Sequence, residues 1–309
     1  MGSVADMVDM LKSGLGPFEY GMAHLADARD GLRQIPDGSV RLIFTDPPYG
    51  IEHNSKTLSS VRGEAFDFGA NAEEKPITIN GDTIEEALKL MTALCLEAAR
   101  ILDPAGSAIC ICCPSAGPPI PIFAHLGMIM GSFLDVQASV FWNKRRPGMG
   151  WRYRRQCEMI LVGSRKGKKM SWFDTAGNIT NLASCSVERQ VPGQGKLHPH
   201  RKPVELIEEF LRLHTQAGDI VLDPFSGSGS TLVACERSGR FGVAFDNDQR
   251  WVDYTNERVT KECGRGLPMI GMPREQLSLS WSEPDVNDAK DPDDSIESTV
   301  GFSNEFSPF

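Results

Sequence analysis

From Asp219 to Thr260 the chain reads as strand, glycine-rich turn, helix, strand and helix without a break. Asp219–Asp223 and Phe241–Phe245 are short runs rich in branched and aromatic residues. Ser230–Ser238 and Asp248–Thr260 carry helical spacing. A strand that returns to its own sheet through a helix lies parallel to the first, and this crossover is right-handed in almost every case. The upstream chain repeats the theme. Strands are predicted at Phe18–Leu25, Ser39–Thr45, Ser107–Cys113, Phe133–Trp142 and Gln156–Val162. A helix is predicted over Glu85–Leu102, with Ile84, Leu88, Met91, Leu94 and Ala98 on one face and a stop at Asp103-Pro104. Another is predicted over Pro203–His214, with proline in its first turn. The fold class is therefore α/β, with a doubly wound, mostly parallel sheet.

At 309 residues, 40% hydrophobic and 24% charged, the chain has the composition of a globular protein. No apolar run approaches the ~18 residues of a membrane span, and no basic-then-apolar leader opens the sequence. After Met1-Gly2, position 6 is Asp6 rather than Ser or Thr, which argues against myristoylation. Of the eight cysteines, Cys110, Cys112 and Cys113 fall in one apolar strand and read as core residues of a reducing compartment. No metal site is expected, and a cytoplasmic location in a bacterium, or of a phage protein within one, is. Oligomeric state is left open, a homodimer included.

The net charge of −9 argues against a nucleic-acid partner, but it conceals a division. Lys144–Lys169 holds ten Lys or Arg and one acid, Glu158; Glu283–Phe309 holds eight acids and one Lys. The tail 283–309 is read as disordered, beyond a domain spanning 1–282. Residues 51–80 and 165–197 are irregular inserts and are read as candidate DNA-recognition segments.

Two motifs carry the chemistry. Asp223-Pro-Phe-Ser-Gly-Ser-Gly-Ser-Thr231 follows a strand and opens a helix. Gly227 and Gly229 allow close backbone approach, and the helix amides and Asp223 offer polar contacts. With Leu232 where a third glycine would stand, a plain helix-opening turn competes with a nucleotide site. Thr45-Asp-Pro-Pro-Tyr-Gly50 ends another strand. Asp46 and the Pro47 carbonyl can accept the two N–H bonds of an amino group on a flat ring, Pro48 stiffens the turn, and Tyr49 offers a stacking face.

Together these motifs resemble those of the DNA amino-methyltransferases, the N6-adenine and N4-cytosine class. Ala26-Asp27, Ile35-Pro-Asp-Gly-Ser-Val40, Trp142-Asn-Lys144, Glu158-Met-Ile-Leu-Val162 and His198-Pro199 through Lys202-Pro-Val-Glu-Leu206 extend the likeness over Phe18–Val259. The catalytic motif precedes the cofactor motif, as in the family's β order. The resemblance implies an S-adenosylmethionine-dependent methyltransferase of Rossmann-like fold acting on double-stranded DNA. It implies that Asp46, Pro47, Pro48 and Tyr49 hold a flipped-out base. Asp223, Phe225, Ser226, Gly227, Gly229 and Thr231 would surround the cofactor's methionine part, Asp27 would lie near its adenine, and Lys202 and Pro203 would close its pocket. Asp at the head of Pro-Pro-Tyr favours adenine N6; N4-cytosine chemistry and an idle DNA-binding relative are the alternatives. The sequence departs from the family in Ala26 for Gly, Arg201 for Gln, and Ala244 for the acid that grips the ribose, with Asp246 two residues on as the substitute. Lys144, Arg145, Arg146, Arg152, Arg154 and Arg155, interleaved with Trp151 and Tyr153, are read as the DNA-binding loop.

Overall fold

The computed structural model of the chain describes residues 14–49, 83–114, 121–147, 154–186 and 201–264. The insert 51–80, the second part of the insert 165–197, Trp151, Arg152, Tyr153, His198, His200 and the tail 283–309 lie outside them. Eight strands form one sheet among the described residues: β1 (Met22–Leu25), β2 (Leu42–Thr45), β3 (Ala108–Pro114), β4 (Leu134–Asn143), β5 (Cys157–Arg165), β6 (Leu182–Ser184), β7 (Ile220–Asp223) and β8 (Phe241–Asp246). Their order is β1-β8-β7-β2-β3-β5-β4-β6. Only the β3–β5 and β4–β5 pairs are antiparallel, because β5 alone runs against the rest.

Helices cover both faces: α1 (Ala28–Arg33), α2 (Ile84–Ile101), α3 (Ile122–Phe133), α4 (Val204–His214), α5 (Ser230–Ser238) and α6 (Gln249–Cys263). Leu32, Met91, Leu94, Leu126 and Met130 place α1, α2 and α3 on one face. Phe210, Leu211, Leu232, Val233, Val252 and Val259 place α4, α5 and α6 on the other. Side chains alternate along a strand, so β3 serves both layers: Ile109, Ile111 and Cys113 belong to the first core, Ala108, Cys110 and Cys112 to the second. Cys110, Cys112 and Cys113 of this strand are buried free thiols and act as small apolar filling.

Most predicted elements stand where the pattern puts them, with shifts of a few residues at their ends. α2 opens on Thr83, whose hydroxyl accepts from the Glu86 amide at 3.2 Å, a cap that satisfies one of the helix's free donors. The first strand is shorter than predicted, because Leu15 and Phe18 pair with each other in a turn before it. α3 is not predicted by the pattern. Its sequence, Ile-Phe-Ala-His-Leu-Gly-Met-Ile-Met-Gly-Ser-Phe, has no Lys, Arg, Asp or Glu to mark a polar face. β6, inside a stretch that reads as irregular, is three residues long and pairs in parallel with the end of β4.

The order in which the chain adds strands reverses at the middle of the sheet. From β7 the chain steps to β8 on one side, and from β2 to β3 on the other. The carboxyl ends of β7 and β2 therefore meet at a switch point, the place where open α/β sheets leave a crevice for ligands.

Candidate active site

Both motifs of the sequence end on this crevice. Val221 and Leu222 of β7 pair with Leu42 and Ile43 of β2. Just beyond the ladder, the Thr45 hydroxyl donates to Asp223 Oδ1 at 2.8 Å. That buried bond joins the end of the Asp-Pro-Pro-Tyr strand to the head of the glycine turn. A cavity of about 820 Å³ opens above it. Asp46, Pro47, Pro48 and Tyr49 line one part; Asp223, Phe225, Ser226, Gly227 and Thr231 line another.

The glycine turn is held from behind. Gly229 has φ +75° and caps α5; a Cβ there would lie 2.5 Å from Thr255 Cγ2. The Thr255 hydroxyl donates to the Gly227 carbonyl at 3.1 Å. Arg258, only 5% exposed, donates to the Ser228 carbonyl at 2.8 Å and to Ser230 Oγ at 3.0 Å. Nothing in the sequence singles out Thr255 or Arg258, which look like ordinary residues of an amphipathic helix. Asp246 Oδ2 accepts from the Gly227 amide and Oδ1 from the Asp248 amide, both at 3.0 Å. Ala244 is buried in the sheet beside Asp223, whereas Asp246 reaches the cavity. The acid two residues on thus stands at the rim and also fixes the turn.

Asp223 is 5% exposed. Burial pushes its carboxyl up to about 7, against the hydrogen bonds from the Thr231 and Thr45 hydroxyls and the Phe225 amide. These donors are neutral, so ionised Asp223 is a buried negative charge facing a cavity. A cationic ligand fits that position.

Asp27 caps α1 and also lines the cavity, but Arg29 takes both its oxygens at 3.0 Å and holds its carboxyl below the ordinary value. Pro203 caps α4. Lys202, just before it, turns its ammonium onto Asp46 Oδ2 and lies 3.4 Å from Glu158 Oε2. Burial opposes the Lys202 charge, but Asp46 and Glu158 outweigh it and hold the ammonium above its ordinary value. The Tyr49 hydroxyl reaches Asp46 Oδ1 and the Cys112 carbonyl, the latter at 2.7 Å. Burial first, and then the Asp46 charge, raise its pKa well above the ordinary value. In the sequence Glu158 stands out only as part of a strand that resembles the family's; its place in the site comes from β5 running antiparallel beside β3.

The basic segment divides in two. Lys144 turns inward and pairs with Glu158 at 3.2 Å. Arg145, Arg146, Arg154 and Arg155 are exposed on the two arms of the β4–β5 hairpin, and Arg155 also lines the cavity.

Architecture and site define a Rossmann-like methyltransferase fold. The family model described as DNA methylase, for the N6/N4 methyltransferases, matches residues 40–257. The chain belongs to this family. Type II methyltransferase M.HinfI of Haemophilus influenzae is 27% identical over 254 residues, 75% of this chain and 66% of that protein. Type II methyltransferase M.HhaII of Haemophilus parahaemolyticus is 33% identical over 113 residues, 37% of this chain and 47% of that protein. The chain thus spans between about half and two thirds of the length of these relatives. Among solved structures, PvuII DNA methyltransferase, cytosine-N4-specific, superposes with a TM-score of 0.56 at 17% identity, covering 79% of this chain and 91% of that one. The complex of M1.HpyAVI with S-adenosylmethionine superposes at 0.55 and 20% identity, covering 77% and 98%. At these identities the likeness is one of fold. Among the described residues no helix is long and apolar enough to cross a membrane.

Proposed function

We propose that the chain transfers the methyl group of S-adenosylmethionine to the N6 amine of an adenine flipped out of double-stranded DNA in the bacterial cytoplasm. The observation that carries this reading is the Thr45–Asp223 bond. It fixes the two motifs side by side on one cavity, so a base held at Asp46 and a cofactor held at Asp223 share that cavity. About 820 Å³ lies at the upper end of the usual range for ligand sites, enough for both molecules.

The residues present fit the cofactor. Gly227 leaves the backbone bare where it lines the cavity, and Gly229 lets the turn pack back against Thr255. Buried Asp223 offers its charge to the cationic methionine part, and the free lone pairs of Asp246 offer acceptors to the ribose hydroxyls. When bound, S-adenosylmethionine supplies a methyl group on a sulfonium, ready for direct displacement. The chain's own task is the amine. Its lone pair is delocalised into the ring, which makes it a weak nucleophile. Acceptance of its two N–H bonds by Asp46 and the Pro47 carbonyl favours a pyramidal nitrogen with a localised pair. The amine nitrogen held at Asp46 would take up the methyl group that the bound cofactor supplies, and its surplus proton would leave by way of Asp46 to solvent. No covalent protein intermediate enters, and burial keeps the thiols of Cys112 and Cys113 protonated. Flipping costs a few kcal/mol of unstacking, which contact with Tyr49 offsets in part. The exposed arginines of the hairpin grip backbone phosphates.

The test is Asp46→Ala. Methyl incorporation into DNA should fall to background while the cofactor dissociation constant stays near wild type; an active variant refutes the assignment. Nucleoside analysis of DNA methylated by the wild-type protein decides the base. N4-methylcytosine in place of N6-methyladenine would overturn the adenine reading and leave methyl transfer standing.

A further inference from the structure

Asp46 is already occupied at both oxygens: Oδ2 by the Lys202 ammonium, Oδ1 by the Tyr49 hydroxyl. Each oxygen keeps a further lone pair, but a carboxylate that already holds an ammonium and a hydroxyl is a weaker acceptor, so Asp46 grips an incoming amine best when a holder leaves. In a site this closed, a displaced holder without a partner would cost most of what the new hydrogen bond gains. Each holder has a second acceptor in place. The Cys112 carbonyl lies 2.7 Å from the Tyr49 hydroxyl, and Glu158 Oε2 lies 3.4 Å from Lys202 Nζ. Behind Glu158 stands Lys144, at 3.2 Å from Oε1. Asp46, Lys202, Glu158 and Lys144 thus form an alternating row of two carboxylates and two ammoniums.

We propose that Glu158 is a positioning residue for methyl transfer: it receives the Lys202 ammonium when the target amine takes Asp46. Resting on the reading of Asp46 as the acceptor of the base, this deepens it by naming the group that frees that acceptor. Transfer of Lys202 from one carboxylate to the other keeps every charge in the row paired. The entering amine is neutral, so the charge of the row stays balanced. Lys144, at the root of the basic hairpin, fixes Glu158 from the far side. Without the Glu158 charge, the Lys202 ammonium would have Asp46 as its one charged partner among the described residues and would hold to it.

The experiment is a double-variant cycle on the full chain, with single-turnover methyl transfer to duplex DNA as the rate. Glu158→Gln keeps the shape and an acceptor but removes the charge. Its rate should fall about 10–100-fold, the equivalent of one charge-assisted hydrogen bond, while the cofactor dissociation constant and the DNA KM stay within about 2-fold. Glu158→Asp, which restores the charge, should recover most of the loss. In a Lys202→Met background, Glu158→Gln should change the rate by less than about 2-fold, because no ammonium remains to be moved. A Glu158→Gln protein at the wild-type rate, or effects of the two substitutions that multiply, would overturn the proposal. Thermal melts by circular dichroism check folding; if Glu158→Gln does not fold, Lys144→Ala, which releases Glu158 from the far side, with and without Lys202→Met completes the same cycle. Asp46→Ala separates the two levels. If it is active, the base-pocket reading itself fails; if it is inactive while Glu158→Gln is not impaired, only the role of Glu158 falls.

Discussion

The glycine turn after β7 and the Asp-Pro-Pro-Tyr turn after β2 sit side by side, yet they are held in different ways. In the first, the Gly227 amide, the Gly227 and Ser228 carbonyls and the Asp223 carboxylate are each tied to a nearby fixed group. Most of its supports come from α6 and the adjoining strand ends. In the second, Asp46 is held by Lys202 and Tyr49, and Lys202 is shared with Glu158 on β5. A turn held by backbone hydrogen bonds keeps one shape. A turn held by interchangeable charged partners can exchange them at little cost. The difference suits a resident cofactor on one side and a base that enters and leaves on the other.

The comparison breaks most sharply at Gly229. Gly229→Ala forces a side chain into left-handed backbone and against Thr255, for a combined loss of about 3 kcal/mol in stability. Melting temperature and cofactor affinity should fall together in thermal melts and titrations. Asp46→Ala should leave both near wild type. An unchanged melting temperature in Gly229→Ala would show that the turn is not rigid.

Asp223→Asn should give opposite signs for affinity and stability. Cofactor binding should weaken by about 1.5–3 kcal/mol, as for removal of one charged hydrogen bond. Stability should not fall at alkaline pH. The folded Asp223 carboxyl, at about 7, holds a proton that the unfolded chain releases near 3.8. Between those values folded protein binds more protons than unfolded, so this group's contribution to stability declines as pH rises and is constant above about 7. Asn removes that decline. Urea melts at pH 5, 7 and 8.5 would show it as a flatter profile for the variant. Cofactor affinity of the wild type should rise with pH through about 7, as Asp223 ionises. A pH-independent affinity would mean that the cofactor's positive groups lie elsewhere.

The smallest effect per residue is expected on the hairpin. Replacing Arg145, Arg146, Arg154 and Arg155 with Ala should flatten the log–log salt dependence of DNA binding by about one unit for each phosphate that is no longer neutralised. Cofactor affinity should change little, because of the four only Arg155 lines the cavity. Lys144→Ala sharpens the contrast: with its ammonium on Glu158, it should slow transfer and leave the salt slope alone. Parallel salt lines for the quadruple variant would confine these arginines to a solvated surface.

Local signals in the sequence are enough for much of this. Alternating strands and helices from Asp219 to Thr260, the glycines at 227 and 229 and the prolines at 47 and 48 restrict backbone angles or periodicity within a few residues, so they can be read in one dimension. Both motifs, their positions at strand ends and the doubly wound sheet follow. α3 escapes because a helix of apolar residues has no charged face, and β6 because three residues are too short to show alternation. Glu158, Thr255, Arg258 and the pairing of Lys144 escape for another reason. Each acts on a residue at least 14 positions away, and nothing local marks that partner. The direction of β5 brings Glu158 to Lys202, and the packing of α6 brings Arg258 to the glycine turn. The chain's own pattern determined which residues could bind a base and a cofactor. Tertiary structure decided which charges restrain Asp46 before the base arrives, because a charge pair depends on distance through space, and the sheet sets that distance.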